Sequence, residues 1–151
     1  MINRKPWGST RPYLMLHRDD APETPTVDAP LRLLCADDEE DIRTILEMAL
    51  ALDPEIHAEI VPDGKTLLER AAEGSWDAFL LDGMMPGIDG YDVCRQLKAD
   101  PSTAARPVAF LTARARKDEI NRALSCGAVA CLAKPFDPLT LAADVRRVLQ
   151  R

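Results

Sequence analysis

Apolar residues in this chain follow two rhythms. Short, nearly unbroken apolar runs at 31–36, 56–61, 78–81, 107–111 and 129–133 read as strands. Between and after them, apolar residues return at helical spacing. Ile42, Ile45, Leu46, Ala49 and Leu50 mark a helix that Asp53 and Pro54 end, because proline lacks an N–H and its ring clashes with the preceding turn. Further helices are predicted over 66–72, opened by Asp63 and Gly64, over 91–98, stopped at Asp100 and Pro101, and over 118–125, closed by Gly127. A last helix runs over 139–150, with Asp137 placed to cap it and Pro138 in its first turn. Five strand–helix units in succession predict an α/β fold, a doubly wound parallel sheet with helices on both faces and right-handed crossovers. In such a sheet a ligand sits beyond the carboxyl ends of the strands.

Residues 1–30 break the rhythm. Pro6, Pro12, Pro22, Pro25 and Pro30 lie there, five of the chain's twelve prolines, and the charges cancel without helical or strand periodicity. The expectation is a flexible Pro-rich arm over 1–30 followed by one domain over 31–151. Trp7 and the cluster Tyr13, Leu14, Met15 and Leu16 are its docking-competent groups; a loose tail, or a true start at Met15, is the simpler reading.

Composition narrows the function classes. The 151 residues are 46% apolar and 29% charged, with a formal net charge of −6, which suits one soluble domain with its own core. An acidic balance argues against binding nucleic acid through bulk charge. No run approaches the roughly 20 apolar residues a membrane helix needs, and no secretory leader is evident, so a cytoplasmic location is expected. Cys35, Cys94, Cys126 and Cys131 form no CxxC pair and read as reduced thiols. His17 and His57 lie far apart, without ligand or triad spacing.

The predicted strand ends carry the chemistry. Asp37 and Asp38 follow the first strand, Asp82 ends the third, Thr112 follows the fourth and Lys134 follows the fifth. Taken singly, each has a bland explanation: an acidic helix start, a turn residue, a cap, a surface charge. Four of five strand ends with mutually compatible polar groups is a far rarer coincidence. Three carboxylates at one edge repel one another and require counter-charge. Oxygen-only ligands suit a hard cation such as Mg²⁺, and the lysine adds a fixed positive charge. Metal and ammonium together would receive a group bringing more negative charge, such as a phosphoryl group.

Residues 31–151 resemble the receiver domains of bacterial two-component response regulators, in outline those of chemotaxis single-domain receivers. The resemblance rests on Leu33, Leu34, Cys35, Ala36, Asp37 and Asp38; on Leu81, Asp82, Gly83, Met84, Met85, Pro86, Gly87, Ile88, Asp89 and Gly90; on Leu111, Thr112 and Ala113; and on Lys134, Pro135 and Phe136. It implies a flavodoxin-like sheet of order 2-1-3-4-5. It implies Asp82 as phosphoacceptor from the phosphohistidine of a histidine kinase or histidine phosphotransfer protein. Mg²⁺ would be bound by Asp38, by Asp37 through water, by Asp82 and by the Met84 carbonyl. Lys134 would pair with Asp82 at rest and with the phosphoryl group afterwards. Thr112 would turn its hydroxyl onto that group, helped by the backbone N–H groups of Gly83 and Ala113. The Lys134–Pro135 bond would be cis, and Met84 and Arg114 would tune the lifetime of the acyl phosphate. A downstream protein would dock on the last two helices and the fifth strand.

The pattern departs from the family at one place. Receivers usually carry Tyr or Phe three residues before the site lysine, and here that position is Cys131. The expectation is a switch without its aromatic half, signalling through the helix over 118–125 and its preceding loop. The basic run Arg114, Ala115, Arg116 and Lys117 is a solvated helix start or, more sharply, a contact for an acidic partner. No output module is seen after the last helix, so a single-domain signalling receiver is expected, not an enzyme with its own substrate. A fragment of a larger regulator, a homodimer, and an interaction module that has lost phosphorylation stay open. An aspartyl-phosphate hydrolase is disfavoured, because such enzymes commonly place a second acid where Met84 stands.

Overall fold

The computed structural model describes residues 30–113 and 116–150. Five strands, β1 (Leu31–Ala36), β2 (Ile56–Val61), β3 (Ala78–Leu81), β4 (Val108–Thr112) and β5 (Ala130–Ala133), alternate with five helices, α1 (Glu40–Leu50), α2 (Gly64–Glu73), α3 (Gly90–Ala99), α4 (Lys117–Ser125) and α5 (Leu141–Leu149). All strand pairs are parallel, in the order β2-β1-β3-β4-β5. This is the α/β architecture the strand–helix alternation predicts, with the flavodoxin-like order the resemblance implies.

The period of two along each strand divides the core in two. Leu31, Leu33 and Cys35 of β1, Ala78 and Leu80 of β3 and Leu132 of β5 point toward Leu46, Ala49 and Leu50 of α1 and Leu141 and Val145 of α5. Leu34, Phe79, Leu81, Val108, Phe110 and Cys131 point the other way, onto Leu67 of α2, Tyr91 and Val93 of α3 and Ile120 of α4. Both faces of the central strands are therefore dry, as a parallel sheet requires. The four cysteines are free and buried.

Local chemistry sets the element ends. Asp63 caps α2 by accepting from Thr66 N at 2.7 Å, and Asp89 caps α3 by accepting from Asp92 N at 2.9 Å. Gly127 closes α4 in the left-handed region at φ +104°, where a side chain would be strained. Several predicted ends shift by one or two residues, α2 starting at Gly64 and β5 at Ala130 among them, and two of the shifts have a clear local cause. Strand β4 starts at Val108, because Pro107 has no N–H to donate and contributes only its carbonyl, which accepts from Phe79 N at 3.0 Å; it runs on through Thr112. Helix α5 starts at Leu141, two residues later than expected. Asp137 spends its acceptors on a tight turn before it, Oδ1 taking Leu139 N at 2.9 Å and the carbonyl taking Thr140 N and Leu141 N. All but the last residue of the arm expected over 1–30 lies outside the described residues, as do Arg114 and Ala115 of the basic run. Among the described residues, no helix is long and apolar enough to cross a membrane.

Candidate functional site

Parallel strands deliver their last residues to a common edge. Asp37 leaves β1 with its N–H on Val61 O at 3.1 Å, and Asp82 leaves β3 with its N–H on Ala36 O at 3.0 Å. Thr112 ends β4 in register with Ala133, and its carbonyl accepts from Lys134 N at 2.9 Å. The sheet ladder thus sets Asp37, Asp82, Thr112 and Lys134 side by side. Asp38 adds an exposed carboxylate, and one oxygen from each of Asp37, Asp38 and Asp82 lies within 4.8 Å of the others.

The lysine ties the cluster together. Lys134 Nζ stands 2.7 Å from Asp37 Oδ2, 3.6 Å from Asp82 Oδ2 and 3.7 Å from Glu39 Oε1, with Asp37 1% exposed and the lysine side chain 10% exposed. Asp37 is therefore the nearer resting partner of the lysine and Asp82 the second. The Lys134–Pro135 peptide is cis. Burial, with Asp37 and Asp38 adding to it, raises the Asp82 carboxyl against the pull of Lys134 and the Met84 N–H, and the balance stands at about 6. Burial pulls Lys134 down, but its contact with Asp37 and the charges of Asp82 and Glu39 outweigh that, so it is held in its charged form.

Three carboxylates against one ammonium leave uncompensated negative charge at a largely dry edge. Asp37 Oδ2 is buried and has no aligned hydrogen bond, although it faces the ammonium. An all-oxygen donor set of this charge, with a buried oxygen still able to take a partner, fits a hard divalent cation.

The loop after Asp82 is built to let backbone approach backbone. Asp82 Oδ1 accepts from Met84 N at 3.1 Å, and Gly90 N donates to Gly83 O at 3.2 Å. A side chain at Gly90 would collide with the Asp82 carbonyl. Gly83 is buried, Met84 is 54% exposed, and Ala113 is exposed next to Thr112. Arg114 lies outside the described residues.

Several neighbours were not singled out from sequence. Arg43 of α1 donates to the Asp37 carbonyl at 2.9 Å, and the Asp37 side chain accepts from Glu39 N at 2.9 Å. Both lie within six residues of the acidic pair, and nothing in their type marks them. Tyr91, Glu119 and Arg122 also meet next to the site. A tyrosine directly after the Gly90 turn was the one available signal. Cys131 is buried on β5 beside Phe110 of β4, and burial, with Glu119 adding to it, pushes its thiol up to about 12. It is a packed thiol with no thiolate at neutral pH.

Residues 33–146 match the family model described as the response regulator receiver domain. The response regulator PleD of Caulobacter vibrioides is 41% identical over 115 residues, which is 76% of this chain and 25% of PleD. The chain spans about half the length of other curated relatives it matches. Among solved structures, chemotaxis protein CheY4 of Vibrio cholerae superposes with a TM-score of 0.74 at 26% identity, covering 80% of this chain and all of CheY4. The receiver domain of sensor histidine kinase PA1611 of Pseudomonas aeruginosa, solved with a magnesium ion in its active-site cleft, gives 0.71 at 28% identity and covers 80% and 98%.

Proposed function

The chain belongs to the response regulator receiver family, and from that premise we propose that Asp82 takes a phosphoryl group from the phosphohistidine of a histidine kinase or histidine phosphotransfer protein. The observation that carries this reading is the edge itself: Asp37, Asp38 and Asp82 within 4.8 Å, with Lys134 reaching both Asp37 and Asp82.

Asp82 supplies the nucleophile. With its carboxyl at about 6, it is mostly ionised at neutral pH, so an oxygen is free to attack phosphorus. The P–N bond to the donor imidazole breaks, and the imidazole leaves with that electron pair. Transfer of this kind needs in-line placement and charge neutralisation more than covalent help. Lys134 holds one positive charge against the equatorial oxygens. Thr112 offers its hydroxyl, and Gly83 and Ala113 offer backbone N–H groups. Asp37, Asp38, Asp82 and the Met84 carbonyl would hold Mg²⁺. When bound, this ion supplies further charge neutralisation and orients the incoming phosphate.

The product is an acyl phosphate, a mixed anhydride that water attacks, so the mark is temporary and the protein is a signalling receiver. Met84, half exposed beside Asp82, screens that water, and Arg114 is assigned the same task. Phosphorylation shifts the protein toward a form already sampled, and α4, β5 and α5 present that form to a protein partner in the cytoplasm.

Intact-protein mass spectrometry after acetyl phosphate and Mg²⁺ tests the reading. The expected result is a gain of one phosphoryl group that is absent in Asp82→Asn. No gain in the parent protein overturns it and favours an interaction module that does not accept phosphate; the same gain in the variant overturns Asp82 as the acceptor.

A further inference from the structure

Cys131 leaves β5 without a ring, yet a ring is packed next to it. Tyr91, the second residue of α3, is 1% exposed and stacks on Phe110 with centroids 4.9 Å apart and planes at 20°. Phe110 is the residue of β4 directly paired with Cys131. The Tyr91 hydroxyl donates to Glu119 Oε1 at 2.8 Å, across 28 residues of sequence. The Arg122 guanidinium lies 4.0 Å from the ring centroid, and its Nη2 is 3.7 Å from Asp89 Oδ2 at the start of α3. Helix α4 is therefore held to the start of α3 by a hydrogen bond to a carboxylate, a cation over a ring and an ion pair.

The same hydroxyl end of the ring also faces the backbone beside the phosphoacceptor. A side-chain carbon at Gly83 would stand 3.0 Å from the Tyr91 hydroxyl oxygen and 3.2 Å from the ring. Gly83 is bonded to Asp82 and joined to Gly90 through its carbonyl. One side chain thus touches the backbone beside Asp82, stacks on β4 two residues before Thr112, and bonds to the first turn of α4. Burial and the Glu119 carboxylate both push the Tyr91 hydroxyl up, so it stays a proton donor across the physiological range.

We infer that Tyr91 is a positioning residue that passes the phosphorylation state of Asp82 to α4 through its hydrogen bond to Glu119, from α3 instead of from β5. The inference rests on the phosphoacceptor reading above. A shift of the Asp82–Gly83 backbone presses on the hydroxyl end of a ring that Phe110 and Arg122 hold in place, so the motion bears directly on the bond to Glu119. The element with two arrangements is the Tyr91–Glu119 bond, made or broken, and with it the seat of α4.

The test is amide NMR of the full chain with Mg²⁺, before and after beryllofluoride, in the parent protein and in Tyr91→Phe, Glu119→Ala and Glu119→Gln. In the parent, amides at Met84 and across α4 shift. In Tyr91→Phe and Glu119→Ala the Met84 shift stays, while the α4 shifts fall to less than about half, as loss of a coupling contact requires. Glu119→Gln keeps an acceptor for the hydroxyl and retains the α4 response, an outcome that mere packing would not distinguish from Glu119→Ala. Full α4 shifts in both Tyr91→Phe and Glu119→Ala overturn the inference while leaving the phosphoacceptor reading intact. No shift at Met84 in the parent overturns that reading and this inference with it.

Discussion

The two faces of the sheet are built from different materials. The face under α1 and α5 is almost wholly aliphatic: leucine, isoleucine, valine and alanine, with Cys35 its one thiol among the buried members. The face under α2, α3 and α4 holds Trp76, Phe79, Tyr91, Phe110, Met85 and three cysteines. Aliphatic packing is close and directionless, so it resists distortion everywhere alike. A buried tyrosine with one hydrogen-bond partner is different, because its bond is either made or broken. The first face is a clamp for the sheet, and the second contains the part able to move. Both faces end at the same acidic edge, which the sheet holds still while one side of it responds.

That contrast can be broken most forcefully on the aliphatic side. Leu80 is 1% exposed among α1 and α5 contacts, and Leu80→Ala is expected to cost about 2–5 kcal/mol, through lost burial and the cavity left behind. Urea unfolding measures it, and the α4 response to beryllofluoride should survive wherever the variant is folded.

The edge behaves in the opposite sense. Asp82 has a folded value of about 6 against 3.8 for an unperturbed carboxyl, so the native state binds its proton more tightly than the unfolded chain does. Stability is lost as pH rises from the lower value through the higher, and the loss is complete above it. Asp82→Asn is therefore expected to stabilise the metal-free protein by about 1–3 kcal/mol above that range. Below the unfolded value the gain should vanish, and thermal unfolding across pH checks both limbs. A variant that lost stability at neutral pH would contradict the charge balance drawn for the edge.

The smallest effect belongs to the polar contact of the second face. Tyr91→Phe keeps the ring and removes one hydrogen bond, for an expected cost of about 1 kcal/mol in urea unfolding, somewhat more for a bond to a carboxylate. It sharpens the comparison because it should cost least in stability and most in the movement of α4.

The strands and the residues gathered at their ends were legible because a parallel sheet needs continuous apolar runs and brings their carboxyl ends to one edge. Asp37, Asp82, Thr112 and Lys134 each follow or end such a run, and the ladder brings them to one edge. Element ends were less legible where a side chain had two possible uses. Asp137 looks like a helix cap and closes a turn before the helix. Lys134 does pair with Asp82, at 3.6 Å, but the Asp37 carboxylate, at 2.7 Å, is a second and nearer partner that the sequence did not single out for it. The Tyr91–Glu119 contact was invisible, since it joins two helices that no local pattern relates. Cys131 was visible as a missing ring on β5, but the tyrosine ring next to it comes from α3.

The central claim is that one carboxylate at this edge stores a phosphoryl group as an anhydride. Treatment with acetyl phosphate and Mg²⁺ followed by sodium borohydride converts an aspartyl phosphate to homoserine, and peptide mass spectrometry locates it. The account predicts homoserine in place of Asp82 and at no other position. Reduction at Asp37, at Asp38 or at any other carboxylate, or at none, would contradict it.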